Sequence, residues 1–254
     1  MSEKDNVISK ETIQRLIKDI TQLKDDELEG IYYRHDEDDI LSGKALIIGP
    51  PGTPYAGGYY LFTFRFPFDY PHSPPIVKFY TNDGLTRMHP NLYKNGKVCL
   101  SILNTWSGDS WTGCQTIASV LLTIQSILTN NPLLNEPGIS KFHPDFYKYS
   151  EIVRYKNIIL SMLKVVQNKD NEFYNFDDLI MIARKDFITN YSIKCKILGD
   201  AIKKCNSYKI KNKIKDTEFL LFTNLYGIRC KINYDNAEEL MPLIYEKILI
   251  LDII

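Results

Sequence analysis

The stretch His89-Pro90-Asn91-Leu92-Tyr93-Lys94-Asn95-Gly96-Lys97-Val98-Cys99-Leu100 governs how the rest of the chain is read. Asn95-Gly96 is a tight-turn dipeptide, and Val98-Cys99-Leu100 reads as a short extended piece beyond it. The turn places the Asn91 amide and the Cys99 thiol, eight residues apart, on either side of it. An amide near a thiol can donate to the oxyanion of an acyl-transfer intermediate. No histidine follows Cys99 closely, so a protease-like Cys–His pair would have to draw on His35, His72 or His143. From these residues alone, Cys99 is either a nucleophile or a buried structural thiol.

Upstream, residues 45–48 and 59–66 are rich in branched and aromatic side chains and predict strands, with 76–80 a further short one. Gly49, Pro50, Pro51, Gly52, Pro54, Gly57 and Gly58 form a dense turn signal between the first two. Pro67, Pro71, Pro74 and Pro75 cannot lie in central strands and mark a rigid connection. At the start of the chain Ser9 predicts the cap of a helix, with Ile13, Leu16, Ile17, Ile20 and Leu23 at helical spacing. Downstream, residues 116–129 predict an amphipathic helix with Ile117, Val120, Leu121, Ile124 and Leu128 on one buried stripe. A second pattern begins near Phe146 and runs through Ile152, Val153, Ile158, Ile159 and Leu163. Strands first and helices later give an α+β class.

From about Asn168 the tail also reads as helical, with breaks near Gly199 and Gly227. Asn236, with Glu239 three residues on, predicts a capping box for the last helix. Phe187, Ile193, Ile197, Leu220 and Leu221 give the tail an apolar helical pattern that predicts docking onto the first part of the chain. The division expected is therefore 1–168 for a core and 169–254 for an extension packed on or beside it.

The 254 residues carry 31 Lys+Arg and 31 Asp+Glu, a net charge of zero that argues against wholesale phosphate binding. The charge is uneven: residues 1–40 have a net of −6 and the remainder +6. Eight lysines face one acid, Asp200, within 190–215, which reads as a solvated helix face or a surface for an acidic partner. No run of apolar residues is long enough for a membrane span. The polar start MSEKDN does not read as a signal peptide. Five scattered cysteines fit reduced thiols in the cytoplasm or nucleus, and Cys195, Cys205 and Cys230 lack metal-ligand spacing.

The motif series resembles the ubiquitin-conjugating enzymes. Pro54-Tyr55-Ala56-Gly57-Gly58 is similar to that family's turn between its first two strands, and Phe66-Pro67 with Tyr70-Pro71-His72-Ser73-Pro74-Pro75 to its proline-rich bend. His89-Pro90-Asn91, the eight-residue step to Cys99, Leu100-Ser101-Ile102-Leu103 and Trp111 follow in order. The resemblance covers roughly residues 9–165. Asn131-Pro132-Leu133-Leu134-Asn135-Glu136-Pro137-Gly138 resembles the long-tailed subgroup that includes conjugating enzyme Z.

The resemblance implies an N-terminal helix, a four-stranded antiparallel meander and C-terminal helices, with a mainly helical extension. It implies a transferase in the ubiquitin-like conjugation pathway. Cys99 would take ubiquitin or a ubiquitin-like protein as a thioester from an activating enzyme and pass it to a target-protein lysine. A ligase would assist, no cofactor would be bound, and ATP would be consumed upstream by the activating enzyme. Asn91 would stabilise the oxyanion or hold the loop in shape, and His89 would fix the loop. Tyr93 would flank the incoming lysine, Glu136 would orient it, and Trp111 would pack under the active-site loop. Lys10, Arg15 and Lys18 would form a sparse basic face toward the activating enzyme. His72 and Thr112-Gly113-Cys114 depart from the pattern where the family docks RING-type ligases. A catalytically silent ubiquitin-binding module of the same fold is the alternative, and such variants typically lack the cysteine. A cysteine hydrolase would need a histidine beside Cys99.

Overall fold

A computed structural model describes residues 7–214 and 219–251. The MSEKDN start and Lys215 lie outside the described residues. Helix α1 (Lys10–Asp25) begins where Ser9 accepts the Thr12 N–H at 3.0 Å. It packs by its Thr12–Leu16–Asp19 edge, so Ile17, expected on the buried stripe, is instead 54% exposed. Buried Asp19 is held by Arg15 and by the Tyr70 hydroxyl.

Four strands follow as an antiparallel meander: β1 (Ile31–His35), β2 (Ser42–Ile48), β3 (Tyr59–Arg65) and β4 (Ile76–Phe79). The register pairs Ile47 with Tyr60 and Phe62 with Phe79. Strand β1, only five residues long and ending in Arg34 and His35, carries too short a pattern for sequence to have located it. Alternation puts Tyr60, Phe62 and Phe64 on one face of β3 and Tyr59 and Leu61 on the other, and all five are buried. Helix α2 (Ile117–Ile127) starts with a reciprocal pair of bonds between Thr116 and Ser119. Ile117, Val120, Leu121, Ile124 and Leu128 are all buried, as their spacing predicts.

Helix α3 (Phe146–Lys156) runs into a π-helical stretch, Asn157–Lys164, and a last turn, α4 (Val165–Gln167). Buried Asn157 accepts the Tyr60 hydroxyl at 2.6 Å and donates to the Ala56 carbonyl at 3.0 Å. This contact requires a glycine at 58, where a Cβ would stand 1.9 Å from Asn157 Oδ1.

The tail comprises α5 (Asp177–Thr189), α6 (Tyr191–Lys211), a hairpin of β5 (Phe219–Phe222) and β6 (Arg229–Ile232), and α7 (Asp235–Leu251). It packs mainly on α3, the π-helical stretch and α4, and reaches the meander where the Tyr59 hydroxyl donates to Asp186 at 2.7 Å and the Tyr80 ring meets Phe176 edge-on. Several expectations for this region are corrected. Gly199 does not break the chain but lies inside α6, because helix continues through a glycine when flanking turns are packed. Leu220 and Leu221 belong to a strand, where alternation buries Leu221 and leaves Leu220 exposed. Ile193 is exposed while Phe187 is buried. Asn236 is inside α7; the bond at its start is made one turn earlier, Asn233 accepting the Asp235 N–H at 2.9 Å. The lysines of α6 do not all face outward. Lys194 is 3% exposed and sits between Asp186 (2.7 Å) and the Gly57 carbonyl (3.1 Å), over the Tyr59 ring. Burial lowers the Lys194 pKa, with Asp186 opposing. Burial pushes the Asp186 pKa up, but Lys194 and the Tyr59 and Asn190 hydrogen bonds prevail and leave it lowered. No helix among the described residues is long and apolar enough to cross a membrane.

Candidate active site

The decisive stretch forms a small irregular hairpin. Tyr93 N–H donates to the Lys97 carbonyl and Gly96 N–H to the Tyr93 carbonyl, each at 2.9 Å. Gly96 takes a left-handed φ of +84°, and a Cβ there would stand 2.9 Å from the Phe79 carbonyl oxygen. Asn91 and Cys99 face one another: Cys99 N–H donates to the Asn91 carbonyl at 2.9 Å, and the Asn91 amide donates to the Cys99 carbonyl at 2.6 Å. In this geometry the amide braces the hairpin.

The Cys99 thiol donates to the Thr105 carbonyl at 2.7 Å, and the residue is 2% exposed. Thr105 Oγ1 in turn accepts the Leu100 N–H at 2.9 Å. The segment 104–110 that carries this carbonyl is exposed along its length. Trp111 is buried at the end of the segment; its N–H donates to Asn104 Oδ1 and its indole to the Pro71 carbonyl.

His89 is fully buried and its Nδ1 accepts the Asn91 N–H at 2.9 Å. With Nδ1 an acceptor the proton resides on Nε2, which requires the Asn135 side-chain amide 2.7 Å away to present its oxygen to the ring, with the Ile127 carbonyl nearby. Burial brings the imidazole pKa down to about 3, against the Ile127 carbonyl, so the ring is neutral at ordinary pH. The other three histidines lie elsewhere: His35 against Tyr33 and Ile40, His72 near Glu11, and His143 accepting the Asp145 N–H. The pairing a cysteine hydrolase needs is not made by any of the four.

Tyr93 and Glu136 belong to one connected cluster. The Arg87 guanidinium lies 3.7 Å from the Tyr93 ring centroid and 4.5 Å from that of Tyr226. The Tyr226 hydroxyl donates to Glu136 at 2.5 Å, and the Tyr149 hydroxyl to the Arg87 carbonyl at 2.8 Å. Four participants were not singled out from sequence: Thr105, Asn135, Arg87 and Tyr226. Asn135 lies within the Asn131–Gly138 motif, and Asn224–Gly227 carries the turn residues of the tail hairpin. Thr105 and Arg87 carry no local signature. Arg15 is turned inward, bonded to Asp19 and to the Gly113 and Gln115 carbonyls, so it is not a free member of the basic face on α1. Among the described residues no group of three His, Cys, Asp or Glu side chains is arranged to hold a metal.

A meander backed by α2, with a cysteine on an irregular hairpin and a neutral histidine beneath it, matches the family described as "Ubiquitin-conjugating enzyme" over residues 15–159. The chain belongs to that family. Among its relatives is "Ubiquitin-conjugating enzyme E2 Z" of Homo sapiens, 40% identical over 186 residues, covering 68% of this chain and 52% of that protein. The Danio rerio protein of the same name is 43% identical over 164 residues, covering 63% and 50% respectively. "Probable ubiquitin-conjugating enzyme E2 25" of Arabidopsis thaliana is 34% identical over 208 residues, covering 79% of this chain and 32% of that protein. The chain thus spans about half the length of the E2 Z relatives it matches.

Proposed function

We propose that this chain accepts the C-terminus of ubiquitin or a ubiquitin-like protein as a thioester on Cys99 and passes it to a lysine of a target protein. The observation that carries the reading is the Cys99 hairpin braced by Asn91 and His89 within the family's fold. In charging, Sγ attacks the acyl carbon held on the activating enzyme's thiol; the new S–C bond replaces the old one, and that thiol leaves with the proton. In discharge, the target amine attacks, a C–N bond forms, the C–S bond breaks and Cys99 recovers a proton. A thioester is already activated toward an amine, so the site must position the reactants rather than supply a strong base. This suits a hairpin whose histidine is neutral and committed to the backbone.

In this reading Asn91 and His89 hold the hairpin. Tyr93 and Glu136 meet the incoming lysine. No cofactor is bound by the chain, and ATP is consumed upstream by the activating enzyme. The partners are the modifier, the activating enzyme, a ligase and the target, in a reducing compartment, the cytoplasm or nucleus. Residues 1–168 form the catalytic core, and 169–254 an extension that sets its preferences. The presence of Cys99 on the braced hairpin favours this over the silent binding module. The test is incubation with purified activating enzyme, ATP and a panel of ubiquitin-like proteins. A thiol-sensitive adduct is expected with at least one of them, and folded protein that takes none overturns the reading.

A further inference from the structure

Tyr226 lies 90 residues from Glu136 in sequence, in the turn between β5 and β6, yet its hydroxyl donates to that carboxylate at 2.5 Å. Its ring also stands on one side of the Arg87 guanidinium while Tyr93 takes the other. One tail residue therefore touches both arms of the cluster beside the Cys99 hairpin. The turn that presents it is fixed independently, because buried Asp145 accepts the Leu225 N–H at 2.9 Å and the Tyr149 ring meets Tyr226 edge-on. Burial and the neighbouring Glu136 raise the Tyr226 pKa, so the phenol keeps its proton and remains a donor. The same ring lines a groove with Leu85, Tyr93, Lys94 and Ile228, and Leu85 is largely exposed on its rim.

We infer that Tyr226 is a positioning residue for the acceptor lysine, through which the tail aims the Glu136 carboxylate and holds the Arg87–Tyr93 stack at the lip of the groove. The inference rests on the proposed thioester transfer. It adds to it that the tail supplies part of the acceptor subsite. A carboxylate at the end of a side chain with several rotatable bonds is a poor guide for an amine unless a partner removes its alternatives. Tyr226 is that partner, and its contribution falls on the step in which the amine attacks. Charging, in which no amine takes part, is independent of it.

The test compares wild-type, Tyr226→Phe, Glu136→Gln and the double variant in full-length protein, with thermal melting of each. Charging of Cys99 is expected within twofold of wild-type throughout. Single-turnover discharge onto saturating free lysine is expected to fall about tenfold in Tyr226→Phe, the effect of about 1.4 kcal/mol on a barrier. The double variant is expected to lose no more than Glu136→Gln alone, because Tyr226 acts through the carboxylate charge that Glu136→Gln has already removed. Discharge at the wild-type rate in Tyr226→Phe overturns the inference, as does a double loss equal to the product of the single ones. Should Tyr226→Phe melt early, Glu136→Gln keeps an oxygen for Tyr226, and undiminished discharge there overturns the inference equally. Failure of wild-type protein to charge would instead strike the proposed function, which separates the two.

Discussion

The bonds that hold Cys99 span six to eight residues, whereas several of those that fasten the tail span 80 to 137. The hairpin is a local object made by a turn, two facing backbones and one amide. Besides its packing on α3, the π-helical stretch and α4, the tail is joined to distant residues: Asp145 to Leu225, Tyr226 to Glu136, and Lys194 with Asp186 to the Gly57 turn and Tyr59. The difference teaches where each kind of change should register. Alteration of the hairpin acts on chemistry, and alteration of a joint acts first on stability. Tyr226 links the two through Arg87 and Glu136.

The sharpest way to break that division is at the thiol. Cys99→Ala should abolish the adduct with an activating enzyme, ATP and modifier, and Cys99→Ser should trap a reductant-resistant oxyester, both read on non-reducing and reducing gels. An adduct persisting in the Ala variant would place the nucleophile elsewhere, with exposed Cys114 the first to check.

At the joint, Lys194→Met leaves Asp186 without its cation in a largely buried position. Breaking such a pair costs about 3–5 kcal/mol. Denaturant unfolding should show that loss, while charging of the folded variant stays at the wild-type rate. A slowed charging step would mean the joint shapes the hairpin after all.

Smaller is the effect of acid on His89. In the unfolded chain a histidine binds its proton below about pH 6.5. The folded protein resists until about pH 3, so stability falls as pH drops through that window. Between pH 7 and pH 5 wild-type protein should lose on the order of 2 kcal/mol more than His89→Gln. His35, whose pKa is also lowered by burial, is common to both proteins and cancels in the difference. Equal pH slopes would show that His89 is protonated without strain.

Smallest is Asn91→Ala, which removes the 2.6 Å bond to the Cys99 carbonyl. One such bond is worth about 1 kcal/mol, so charging and discharge should each slow by roughly tenfold or less. A loss confined to discharge, and larger, would assign the amide to the oxyanion instead.

The parts of the molecule legible in sequence are those whose signals are local. Ser9 and Asn95-Gly96 announce a cap and a turn through their own chemistry, and the stripe on α2 repeats at the helical period. The eight-residue step from Asn91 to Cys99 is legible for the same reason. The tail hairpin was missed because β5 and β6 have four residues each, too short for alternation to stand out from a helical pattern. Lys194 was read as solvated because nothing near it in sequence reveals the Gly57 carbonyl 137 residues away. Tyr226 was missed likewise, its partner being 90 residues upstream.

The bond from the Cys99 thiol to the Thr105 carbonyl has a consequence for oxidation. Cys114 and Cys195 are exposed, while Cys99, Cys205 and Cys230 are buried. Peroxide or an alkylating reagent diffusing in from solvent thus spends itself on the outer pair first, because access limits the reaction of a sheltered thiol. Cys99 is reached later, sheltered by the segment 104–110 whose Thr105 carbonyl holds its thiol.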